Sequence, residues 1–272
     1  MPHNARVPDG ARTLPEAFYL REAGDVFVPT TATVGPWDPN LQHGSPPAAL
    51  LARAMLAAGA RDDVRIAHFS LDFLGPIALA PMTVRAEVVR PGKRVELITA
   101  TAAIAGRVAL RASAWRIAVA SDRSPALRVD EPAPPLPLVA ADTLFPTVPH
   151  FGYGDSLEWR FVEGSFHAPG PATVWSRPRI PLLAGETTTP FLRALMLVDS
   201  ANGISAELDF SAYTFVPVNL TVAFTRAPEG EWIGMAASTA LAGDGVGTAR
   251  ARLFDGRGVF GEAHQALFVG SR

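Results

Sequence analysis

Asp199 stands in a run of otherwise largely apolar residues, Phe191 to Gly203. A carboxylate taken out of water needs a partner, a hydrogen bond or a shifted pKa. In that state it can serve as a general base toward water. The blander role is a brace for nearby backbone, shared with Ser200 or Asn202. Gln265 lies in a strand-like C-terminal stretch. Its amide can position a water and donate to an oxyanion at once, although an outward-facing polar strand residue is the commoner case. Asn219 and Thr221 are two apart, so a strand carries both on one face. His43 and Gly44 directly precede a helix-forming run. Free N–H groups and the positive end of the helix dipole favour an anion or a developing oxyanion there.

Other chemistries lack their residues. The 272-residue chain has no cysteine, which removes disulfides, thiolate nucleophiles and Cys-based zinc sites. Its six histidines are scattered without a ligand spacing, so neither a metal nor a cofactor is expected. Gly243-Asp244-Gly245-Val246-Gly247 lacks the strand-to-helix context of a phosphate loop and suits a hairpin turn. The serines lack a Gly-x-Ser-x-Gly setting. Net charge is −2 with no basic cluster, which argues against nucleic acid. The N-terminal stretch is polar, and no apolar run suits a membrane span. A soluble cytoplasmic protein is the expectation.

The candidates must be positioned by two apolar helices and a set of strands. Ser45 is a suitable N-cap and Pro46 a suitable first helical residue for a helix running toward Gly59. That helix carries Ala, Leu and Met on nearly every face and only Arg53 as a charge, so it belongs inside the molecule. Phe18–Thr33 suits a strand or hairpin. Residues 64–74, 82–90, 95–105 and 108–119 suit four strands. In the first of these, Ile66, His68, Ser70 and Asp72 alternate with Ala67, Phe69, Leu71 and Phe73. A helix is expected from Thr189 to Ile204, with Pro190 at its first position, flanked by strands at 156–167, 173–180, 218–226, 232–242, 246–254 and 259–269.

The second half repeats the first. Phe69-Ser70-Leu71-Asp72-Phe73 lines up with Leu220-Thr221-Val222-Ala223-Phe224, and a proline follows each. A repeat of half the chain length marks a duplicated unit. Units with open sheet edges are expected to pair edge to edge or pack closely. Residues 121–153 hold seven prolines and little periodicity, which suits a linker. The expected division is 1–120, a linker over 121–153, and 154–272.

Two tandem sheets, each wrapped round a helix, resemble the double hot-dog fold, an α+β architecture. The runs Asn219 to Trp232, Gly243 to Gly247 and Phe254 to Gly258, with Trp37, Asn40 and His43-Gly44 before the first helix, resemble the acyl-CoA thioesterases. The bacterial type II enzymes are that family's best-known members. The resemblance implies an acyl-CoA substrate and no cofactor; curled sheets with free edges and apolar helices commonly pair, so a homo-oligomer is expected. It also implies a water held by an Asp on the second helix, a Ser or Thr on the following strand and a Gln on the last strand. Carried over, the Asp is Asp199 and the Gln is Gln265. The Ser/Thr position falls on Pro217, which has no hydroxyl, so Asn219 or Thr221 must supply that polar group or activity is weakened or lost. His43 and Gly44 would contact substrate through backbone N–H groups, with the first half otherwise degenerate.

Two competitors stand beside the hydrolase. One is an acyl-CoA or hydrophobic-ligand binder on the same fold, favoured by Pro217. The other is a hydratase or dehydratase, which needs a His paired with an acid. His43 has only Asp38 as an acidic neighbour in sequence.

Overall fold

The computed structural model of the protein describes residues 13–120, 125, 131–140 and 145–272. The first half comprises β1 (Tyr19–Ala23), β2 (Val26–Pro29), α1 (Ser45–Ala57), β3 (Val64–Phe73), β4 (Met82–Arg90), β5 (Val95–Ile104) and β6 (Arg107–Ala118). The second comprises α2 (Gly152–Asp155), β7 (Leu157–Glu163), β8 (Ala172–Pro178), α3 (Pro190–Val198), α4 (Ala201–Ile204), β9 (Tyr213–Pro217), β10 (Asn219–Phe224), β11 (Ile233–Leu241), β12 (Val246–Asp255) and β13 (Gly258–Ser271).

The helix apolar on all sides is buried, as its composition requires: Ser45 to Ala52 and Met55 are all enclosed. Complete burial of Leu50, Leu51 and Met55 contributes about 1.5–3 kcal/mol each. α1 packs on α3, so the two helices share one core. Thr189 caps α3 by accepting from the Leu192 N–H, and Pro190 opens the helix as expected. Ser45 does not cap α1. It already lies inside the helix, and the His43 ring does the capping, its Nδ1 accepting from the Ser45 N–H at 3.1 Å.

The expected pair of sheets is corrected to one. All 13 strands among the described residues belong to a single sheet, in the order β1-β2-β4-β5-β6-β3-β10-β13-β12-β11-β8-β7, with β9 on β13. The halves join where β3 and β10 pair antiparallel. Ser70 faces Thr221 across that junction, Phe69 faces Val222, and Leu71 faces Leu220. These are the residues that align in the internal repeat, so a local two-fold axis passes between Ser70 and Thr221. The free edge that each half would expose is thereby consumed within the chain.

Three local features depart from the sequence pattern. A bulge between Ile66 and His68 resets the alternation of β3, so Ile66, Phe69 and Leu71 are all buried. β9 carries no clear strand signal in the sequence: it is only five residues long and ends on Pro217, where proline masks a strand. The linker is not only a connection, because its end forms α2 and buries Phe145, Phe151 and Tyr153 in the core. Among the described residues, no helix is long and apolar enough to cross a membrane.

Candidate active site

Asp199 is not mid-helix but at a break. α3 ends at Val198, Asp199 is its C-cap, and α4 starts at Ala201. The Ser200 N–H bonds to the Leu197 carbonyl, three residues back, which leaves the Met196 carbonyl without that α-helical donor. The Tyr153 hydroxyl fills the gap, donating to Met196 O at 2.8 Å while lying 2.7 Å from Ser200 Oγ. A residue from the inter-unit connection thus stabilises the turn that presents Asp199.

Asp199 is 5% exposed and its side-chain partners come from both halves. Gln265, facing inward from β13, donates from Nε2 to Asp199 Oδ1 at 2.9 Å and to the Asp199 carbonyl at 3.3 Å. His43 Nδ1 lies 3.6 Å from Asp199 Oδ2. The Gly44 backbone N–H also favours the charged carboxyl. Burial nevertheless dominates and pushes the Asp199 pKa up to about 7. Burial takes His43 the other way, down to about 3, so the imidazole is neutral at pH 7. With Nδ1 accepting from Ser45, the neutral ring carries its proton on Nε2. The ring is stacked on Tyr153, 3.9 Å between centroids and 6° from parallel.

These groups border a cavity of about 410 Å³, lined by His43, Gly44 and Asp199 and otherwise mainly by apolar and aromatic side chains. Its volume falls in the range of small-molecule sites. Gln265 is absent from the lining and holds Asp199 from behind; its Oε1 is buried without a protein partner.

Four of the candidate residues therefore converge: Asp199, Gln265, His43 and Gly44. Two do not. Thr221 lies on the face opposite Leu220 and Val222, at the junction axis, and its hydroxyl makes only a 3.5 Å contact with His264 O. Asn219 completes the ladder at the β9–β10 break, accepting from the Ala266 N–H at 2.8 Å. The residues near that break that reach the cavity are Val216 and Pro217, at the end of β9, and Val218 between the two strands. The backbone role expected of His43 is also corrected, because its N–H donates to Thr33 O at 2.7 Å. The missing acidic neighbour of His43 is Asp199 itself, brought from the other half of the chain. The sequence did not reveal Tyr153, Phe145 or Phe151, whose setting in the proline-rich stretch hides them. Ten residues past its cap, α1 carries Ala54 where α3 carries Asp199, so the first helix has no carboxylate to match.

Comparison with solved structures identifies the architecture as a hot-dog fold. A conserved protein of unknown function with a hot dog fold from Alicyclobacillus acidocaldarius superposes with a TM-score of 0.73 at 16% identity, covering 94% of this chain and 97% of the other. The acyl-CoA thioesterase II TesB2 of Mycobacterium marinum gives 0.64 at 15% identity, covering 91% and 92%. The tesB protein of Mycobacterium avium subsp. paratuberculosis gives 0.59 at 15% identity, covering 92% and 95%. Two family models match in tandem: the acyl-CoA thioesterase N-terminal domain over residues 33–117 and the acyl-CoA thioesterase C-terminal domain over residues 121–269. The chain belongs to the acyl-CoA thioesterase family. A search of curated proteins gives no significant match.

Proposed function

We propose that the protein hydrolyses acyl-CoA thioesters to free acid and CoA, on a double hot-dog scaffold with units at 1–120 and 154–272. The observation that carries this is the buried Asp199 carboxyl, held by Gln265 at 2.9 Å and bordering an apolar cavity. A base needs a pKa near the working pH, and burial brings Asp199 to about 7. In its ionised form Asp199 removes a proton from water as the oxygen attacks the thioester carbonyl. The carbonyl oxygen becomes an oxyanion, which the His43 Nε2–H is suited to stabilise. Collapse breaks the C–S bond, and the proton held by Asp199 passes to the departing thiolate. Gln265 keeps the carboxylate oriented, and Gly44 gives it room. Thiol release across a panel of acyl-CoA chain lengths tests this directly; a chain that binds these thioesters without releasing CoA is the binder favoured by Pro217.

The 3.6 Å approach of His43 to Asp199 favours a second reading, hydration or dehydration of the acyl chain. The protonation pattern weighs against it. Nδ1 is engaged by the Ser45 N–H, Nε2 carries the proton, and the pKa near 3 makes the ring a poor base. Loss of water from a 3-hydroxyacyl-CoA without CoA release would establish that alternative.

A further inference from the structure

The cavity wall is a connected belt of aromatic rings. Trp37 meets Phe145 at 5.8 Å and 88°, Phe145 meets Phe166 at 5.8 Å and 61°, and Phe166 meets Trp159 at 5.2 Å and 76°. Trp159 then meets Tyr153 at 6.1 Å and 73°, and Tyr153 stacks on His43. The belt therefore starts beside the candidate reacting centre and runs along the space where an acyl group would lie. All five rings line the cavity. Their repeated edge-to-face arrangement is the geometry that aromatic pairs prefer.

The polar side chains of the wall are mostly engaged, Asp38 through the Asn40 N–H. Gln42 accepts from the Tyr19 hydroxyl and donates to Ala78 O. Asn202 donates to Phe215 O, and Ser200 is held by Tyr153. The Trp159 indole N–H donates to Gly154 O. Little in the wall is left to reward a hydroxyl or a charge on the acyl group. A volume of about 410 Å³ is near the small end for ligand sites, and it must also take the thioester.

From this belt we infer that the site selects short acyl groups ending in an unsubstituted aromatic ring, such as phenylacetyl, over straight alkyl chains of similar carbon number. A guest ring adds edge-to-face or offset contacts to the belt. Each such pair favours the aryl guest by about two- to tenfold beyond its buried area. An alkyl chain gains only the area. The inference rests on the proposed thioesterase site for its orientation but on the ring geometry for its selectivity.

The test uses the full-length protein with phenylacetyl-CoA, hexanoyl-CoA and octanoyl-CoA. Thiol release is measured, and binding of phenylacetate and hexanoate is followed separately by tryptophan fluorescence. The expected result is a kcat/KM for phenylacetyl-CoA at least about fivefold above those for both hexanoyl-CoA and the equal-carbon octanoyl-CoA, with phenylacetate binding more tightly than hexanoate. Phe166→Leu should reduce that ratio by about two- to tenfold, and Phe145→Leu provides a second variant should the first fail to fold. Equal or reversed preference in the unmodified protein overturns the selectivity, even where thioesters are cleaved. Tighter aryl binding with no CoA released from any thioester upholds the selectivity and instead removes the hydrolase. Equal binding with no release overturns both.

Discussion

Gln265 donates its amide N–H to Asp199 Oδ1 at 2.9 Å, an inward-facing β13 residue steadying a carboxyl from the end of α3. This bond favours the ionised carboxyl and partly opposes the upward shift caused by burial. Gln265→Leu removes it. Hydrogen bonds to charged groups contribute about 1.5–3 kcal/mol, so the midpoint of the kcat/KM profile should move about one to two pH units toward alkali. The profile is measured by thiol release; an unmoved midpoint with a uniformly lower rate would make Gln265 only structural.

The rate and the stability should respond to Asp199 in opposite directions. Catalysis needs the ionised form, so kcat/KM should rise with pH through about 7 and level off above it. Asp199→Asn should lower it at least about 100-fold. Stability follows from linkage. The folded pKa near 7 is above the unfolded value of about 3.9, so between them the native state holds more protons and loses stability as pH rises. Asp199→Asn should therefore unfold at a higher temperature than the unmodified protein at pH 8, and the gap should close below about pH 4. Thermal melts across pH check this; a gap independent of pH would mean that the carboxyl is not buried in solution.

Gly44 is required by space rather than by backbone conformation, since its φ is −70°. A Cβ there would come within 2.5 Å of Asp199 Oδ2 and 2.7 Å of the Phe73 ring. Gly44→Ala should displace the carboxyl and cost about 1–3 kcal/mol of stability by overpacking. Activity should fall further than stability explains. A variant with unmodified kcat would show that Asp199 is free to move aside.

Tyr153→Phe preserves the stack on His43 and removes the hydroxyl that serves Met196 O and Ser200 Oγ. A buried carbonyl loses its partner, so stability should fall by about 1–3 kcal/mol. Chemical denaturation measures this, and a loss under about 0.5 kcal/mol would mean that another donor takes over.

Pro217 occupies the cavity wall where the family resemblance implies a hydroxyl. Pro217→Ser should raise kcat for an acyl-CoA severalfold by adding a second group to hold the water. Unaltered or lower turnover with the fold intact would show that the His43–Asp199–Gln265 set works without it.

The arrangement was legible wherever patterning is strong. The helix that is apolar on every side, the Thr189-Pro190 start of α3 and the alternating strands up to β6 follow from local chemistry. Asp199 stood out because a carboxyl in an apolar run needs a partner; Gln265 was singled out by the family resemblance, and the two prove to be bonded to each other. What could not be read is set by distance along the chain. His43 meets Asp199 only because α1 and α3 pack together, and Thr221 is carried off the cavity by the register of β10 on β3. Tyr153 was hidden by the prolines around it, which speak for irregular backbone and not against burial. Pairing between β3 and β10 also turned two expected sheets into one, a result of register that composition does not encode.

Because the halves are stitched by main-chain bonds between Leu71 and Leu220 and their neighbours, the peptide that connects them need not be intact for them to stay together. Cleaved ahead of Phe145, the two fragments would retain every wall of the cavity between them. Expressed as separate polypeptides, they should find each other and rebuild the pocket, a single chain behaving as an asymmetric pair of subunits.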